Sequence, residues 1–168
     1  MTEATIYQQL EREVDRVRDH SAHHVNRKIA RNMHASVQQT VREGRDAILK
    51  RLAELDREWD IDRVLMANFA VAGGASFLTG LERSRPRLFG YGRRRNGWLY
   101  FFGAQLAFLL LHAGVGWCPP VAVWRRFGVR TKNEIEVERQ LLSSALEGEQ
   151  RAGEISPATP LMSGQVAS

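Results

Sequence analysis

The chain has a single cysteine, Cys118, among its 168 residues. That count excludes an intrachain disulfide framework and a cysteine-rich zinc site, whatever the redox compartment. A phosphate loop is missing as well, because the Gly73-Gly74 pair is not followed by Lys-Ser or Lys-Thr. The opening stretch, MTEATIYQQLEREVDRVRDH, holds no apolar run of signal-peptide type, so export by a cleaved leader is not expected. His20, His23 and His24 sit at helical spacings that could bring two imidazoles together, but no paired carboxylate or cysteine completes a metal site, and a solvated helix face is the expected reading. No catalytic constellation marks an enzyme, and neither a cofactor nor a metal is expected.

Charge is also absent, in two places. Val64 to Leu81 and Trp98 to Trp117, 18 and 20 residues long, contain no Asp, Glu, Lys or Arg. As helices rising about 1.5 Å per residue they reach roughly 27 and 30 Å, close to the hydrocarbon thickness of a bilayer. The mean hydropathy of −0.35 conceals them, because charged segments surround both blocks. All four tryptophans, Trp59, Trp98, Trp117 and Trp124, fall at or just beyond the block ends, where an indole buries its ring and hydrates its N–H. The expected fold is all-α: an antiparallel two-helix transmembrane hairpin over 59–124, preceded by a charged amphipathic helical region over 1–58. A short helix over 125–147 and a disordered tail over 148–168 are expected to follow.

Inside the spans, Asn68, Ala72, Ser76 and Gly80 recur every four residues and form a narrow stripe that would let another helix approach closely. Gly103, Ala107 and Gly114 offer a matching small surface on the second span, where Gln105 and His112 would be costly facing lipid. Depth in an antiparallel hairpin pairs Asn68 with His112 and Ser76 with Gln105. The expected assembly is a homodimer, or membership of a larger membrane complex, through these faces.

The connection over 82–97 carries Arg83, Arg85, Arg87, Arg93, Arg94 and Arg95 against one acid, Glu82. The hairpin's outer flanks carry eight Lys or Arg, from Lys50 and Arg51 to Arg130 and Lys132, so charge counting alone does not orient it. Exporting the charged N-terminal region is harder than exporting the loop, which places both termini in the cytoplasm. The net charge of +5 suits an anionic surface, either lipid or nucleic acid. A lipid bilayer is the expected partner; nucleic acid, which would need a cytoplasmic loop and the help of Phe89 and Tyr91, is not. Cys118, at the membrane boundary beside Arg125 and Arg126, leaves open an alternative in thiol redox or sulfur handling.

Outside the spans, apolar residues recur every three or four positions: Ile6, Leu10, Val14 and Val17, then Val25 to Val41, then Ile48, Leu52, Leu55 and Trp59. Two or three amphipathic helices are expected, broken near His20 to His24 and at Gly44. Pro119 and Pro120 stop the second span, and Thr131 with Glu134 reads as a capping box opening a helix through about Leu146.

Two stretches, REWDIDRVLMANFA leading into the first span and LLLHAGVGWCPPVAVWRRFGVRTKNEIEVER closing the second, resemble bacterial proteins of unknown function that carry the YgaP-like transmembrane domain. That two-helix hairpin also follows the rhodanese domain of certain inner-membrane sulfurtransferases. The resemblance covers roughly 57–140 and, more loosely, VNRKIARNMHASVQQ; Trp117, Cys118 and Pro119 match its Gly-Trp-Cys-Pro ending. It implies a bacterial inner-membrane hairpin with no assigned catalytic residues, here without a rhodanese domain.

Overall fold

The computed structural model describes residues 3–12, 14–84 and 96–155, and every regular element among them is helical. Helix α1 (Glu3–Leu10) is followed by the short α2 (Arg16–Asp19), whose N-cap Asp15 accepts from the Arg18 N–H at 2.9 Å. In α3 (His23–Glu43), Val25, Ile29, Met33 and Val37 are buried at four-residue spacing. Gly44 then separates α3 from α4 (Arg45–Leu55), as expected. Val14 departs from the expected apolar stripe: it falls in the break between α1 and α2, outside any helical face, and is 89% exposed.

The next helical run starts at Asp60, whose carboxylate accepts from the Arg63 N–H at 2.8 Å. It comprises α5 (Ile61–Asn68), a π-helical segment (Phe69–Gly73) and α6 (Gly74–Ser84). Helix α7 (Gly97–Val115) returns alongside it in the opposite sense: Leu99 lies against Gly80, Gln105 reaches Ser76, and His112 reaches Asp62. Proline ends the apolar stretch by starting something new. Pro119 and Pro120 occupy the first turn of α8 (Pro119–Arg126), where a missing N–H costs nothing.

The capping box forms as read: the Glu134 N–H donates to Thr131 Oγ1 at 3.2 Å, and the Thr131 N–H to Glu134 Oε2 at 2.9 Å. Helix α9 (Lys132–Ile155) continues well past Leu146, so the expected tail begins too early. Glutamate, glutamine and alanine through 147–152 are good helix formers, and composition alone does not separate an exposed helix end from a coil.

The helical head draws its core from both ends of the chain. Ile6, Leu10, Met33, Val37, Ile48 and Leu55 precede the apolar helices, and Ile135, Val137, Leu141 and Leu142 follow them. A second cluster, Val17, Ile61, Leu65, Phe69, Cys118 and Val121, welds the head to the base of the helix pair.

The helix pair and its junction with the head

Along the first apolar helix the residues turned inward are Ile61, Leu65, Phe69, Gly73, Ser76 and Gly80. The expected four-residue stripe is therefore right at Ser76 and Gly80 and one residue out at Asn68 and Ala72, which are only half-buried. Helical pitch explains the slip. At about 3.6 residues per turn a face holding Gly80 and Ser76 runs back through Gly73 and Phe69, whereas a strict four-residue repeat drifts off it turn by turn. The π turn holds the spacing at four between Leu65, Phe69 and Gly73. Its carbonyls are partly recovered by side chains, with Ser76 Oγ donating to the Gly73 carbonyl at 2.9 Å.

On α7 the inward positions are Phe102, Gln105, Leu109 and His112, at alternating spacings of three and four. Gly103, Ala107 and Gly114 point the other way, and no atom lies within 4 Å of where a Cβ on Gly103 or Gly114 would stand. The expected small surface on the second helix thus does not meet the first. The close approach is instead made at Gly80, where a Cβ would stand 2.7 Å from Leu99 Cδ2 and 3.3 Å from the Leu99 nitrogen. Gly80→Ile should therefore cost about 1–3 kcal/mol by overpacking, while Gly103→Ile leaves the pair intact. Thermal unfolding of the two variants in one detergent checks this; equal midpoints would show that the close approach at Gly80 is not required.

Of the two expected polar pairs, one is present. Gln105 Nε2 stands 3.5 Å from Ser76 Oγ, both buried. His112 does not pair with Asn68; its Nε2 lies 3.0 Å from Asp62 Oδ1, nearly two helical turns nearer the base, where the carboxylate is the stronger partner.

Of the loop arginines, Arg83 is described; it is exposed, its guanidinium 5.8 Å from the Trp98 ring centroid. Arg85, Arg87, Arg93, Arg94 and Arg95 lie outside the described residues. Cys118 is fully buried between Val17, Ile61 and Val121, and burial pushes its thiol pKa up. A protonated, enclosed sulfur is poorly placed for nucleophilic chemistry.

Sequence reading missed the polar junction beneath the helix pair. Arg125 makes a two-pronged ion pair with Glu134 at 2.5 and 2.8 Å, and Thr131 Oγ1 donates to Asp15 Oδ2 at 2.5 Å. Nearby, Glu138 accepts from Arg51 Nε at 2.9 Å and is paired with Arg130, which also holds Glu58. Three of the flanking cations counted for orientation, Arg51, Arg125 and Arg130, are thus committed to intramolecular pairs. The advance signal was the capping-box Glu134, which fixed one of these carboxylates at a helix start.

The chain, then, is an all-helical protein with two helices, Ile61–Arg83 and Gly97–Val115, long and apolar enough to cross a membrane. No family model, no curated protein and no solved structure matches it. Among the described residues, no group of three or more His, Cys, Asp or Glu could hold a metal ion.

Proposed function

We propose that this is a small, non-enzymatic protein of the bacterial inner membrane, in which a two-helix transmembrane hairpin of YgaP-like type tethers a compact helical head to the cytoplasmic face as a scaffold or accessory subunit. The observation that carries the reading is the surface of α7. Only 6% of its most apolar stretch is buried, leaving Tyr100, Phe101, Leu106, Leu110, Leu111 and Val115 exposed in a continuous sleeve. Water-exposed apolar surface on that scale is rare in soluble monomers, and lipid is the solvent it suits.

The head's construction supports a hairpin over any odd number of crossings. Residues before the first apolar helix and after the second share one core, so both flanks must occupy the same side of the bilayer. The compartment follows from cost: the head is charged and folded, and the loop is the smaller load to export. The outward Gly103, Ala107 and Gly114 face would serve association with a second copy or a partner span.

Impermeant maleimide on single cysteines tests this, in a Cys118→Ala background with cysteine introduced at Arg94 in the loop or at Lys50 in the head. The expected result is that Arg94→Cys labels in intact cells and Lys50→Cys only after lysis. Labelling of Lys50→Cys alone in intact cells would reverse the orientation, and labelling of both only after lysis would remove the hairpin from the bilayer.

A further inference from the structure

Between the first half of α3 and the turn after α8 lies a cleft of about 280 Å³, to which the scaffold reading gives no role. His24, Lys28, Asn32, Arg125, Arg126 and Gly128 contribute to its wall, and among the described residues no carboxylate does. Lys28 and Arg126 are exposed, and neither forms an ion pair with another described residue. Arg125 is different: it is 1% exposed, and both its terminal nitrogens are engaged. Nη1 donates to Glu134 and to the Val129 carbonyl, Nη2 to Glu134 and to Asn26 Oδ1 at 2.9 Å. Its Nε–H is buried without an acceptor.

That N–H has almost no accessible surface, so Arg125 stiffens the wall of the cleft and offers it no free donor. Glu134 cancels the charge of Arg125, so Lys28 and Arg126 supply the net positive potential while Asn32 and His24 can supply directional hydrogen bonds. That combination suits a compact oxyanion, a phosphate before all. The volume falls near the roughly 300 Å³ lower bound of small-molecule clefts, ample for a headgroup phosphate.

Position selects the source of the phosphate. Helix α8 begins just past the end of the second apolar helix, and Phe127, 78% exposed, adjoins Gly128 in the cleft wall, with Val123 exposed one turn before it. Cations beside exposed aromatic and aliphatic side chains match a headgroup with its acyl chains; a free phosphate would have no use for Phe127. We infer that this cleft holds the phosphate of an anionic phospholipid at the bilayer surface. The inference rests on the membrane reading above.

The test uses the full chain in phosphatidylcholine nanodiscs with or without phosphatidylglycerol, counting retained phosphatidylglycerol by native mass spectrometry and titrating its affinity. Lys28→Gln with Arg126→Gln should weaken phosphatidylglycerol binding by about fivefold for each charge, hence about twenty-fivefold together. The same charge loss at the exposed Arg42 and Lys50 should leave it unchanged. An equal loss in that control overturns the site in favour of diffuse surface attraction. If inorganic phosphate raises the midpoint of the detergent-solubilised chain while phosphatidylglycerol shows no preference over phosphatidylcholine, the ligand is a free anion and the lipid assignment falls. A chain that enters nanodiscs yet ignores phosphatidylglycerol overturns the cleft alone; one that never enters them overturns the membrane reading with it.

Discussion

Glu138→Ala should destabilise the protein by about 3–5 kcal/mol, because it removes one member of a buried charge cluster and strands the others. Glu138 is fully buried and faces Arg51, one-quarter exposed, and Arg130, almost wholly buried. Burial alone would push the Glu138 carboxyl upward, but the hydrogen bond from Arg51 and the charge and hydrogen bond of Arg130 outweigh it and hold the group below its ordinary value near 4.5. Its contribution is therefore complete above that pH and fades as acidification proceeds through the lower folded value. Denaturant titration of wild type and Glu138→Gln across acidic pH measures both effects: the wild type should lose stability steeply below about pH 4.5, and the variant should start lower and fall less. Replacing Arg51, Arg130 and Glu138 together by apolar residues of similar volume should recover much of the loss. A single variant as stable as wild type would mean that water reaches the cluster.

The second large effect is expected at Gly116, where α7 ends in a left-handed turn at φ +79° and its N–H donates to the His112 carbonyl at 2.7 Å. A Cβ there would stand 2.6 Å from Arg16 Cβ and 3.1 Å from the Arg16 carbonyl carbon. Arg16 itself reaches up to the Gly114 carbonyl at 3.2 Å, so α2 is clamped against the end of the apolar helix. Gly116→Ala should cost about 1–2 kcal/mol in backbone strain and about 1–3 more in overpacking. Pairing it with Arg16→Gly should return part of the second contribution and none of the first. Calorimetry of the single and double variants checks this, and an unaltered single variant would show that α2 does not rest on that turn.

Much of the fold was legible in the sequence because its strongest signals are periodic. The charge-free blocks, the four-residue spacing from Val25 to Val37, Gly44 and the Thr131–Glu134 box all act over one or two helical turns, and local rules reach that far. What escaped needed either the helical pitch followed over several turns or a partner distant in the chain. A four-residue stripe drifts off a face of about 3.6 residues per turn, so it reaches Ala72 and Asn68 where the inward residues are Gly73 and Phe69. His112 met Asp62 because the pair is displaced along the axis from the register that equal depths suggest. Arg51, Arg125 and Arg130 looked like interchangeable surface cations, since their glutamate partners become neighbours only after the head has closed. The cleft beside α3 has the same origin: Lys28 and Arg126 are almost a hundred positions apart.

The shared core of the head also sets an order of events during synthesis. Met33, Val37 and Ile48 leave the ribosome long before Ile135 and Leu142, with both apolar helices translated in between. The N-terminal helices therefore wait with one apolar side uncovered until both apolar helices have been made, and only then does α9 close over them. Such late, long-range closure makes completion of the head slow relative to its local helices. Under the proposed membrane reading it also makes the finished head a report on insertion: a nascent chain whose second apolar helix goes astray carries α9 to the wrong place, keeps a sticky N-terminal half, and becomes visible to chaperones and proteases.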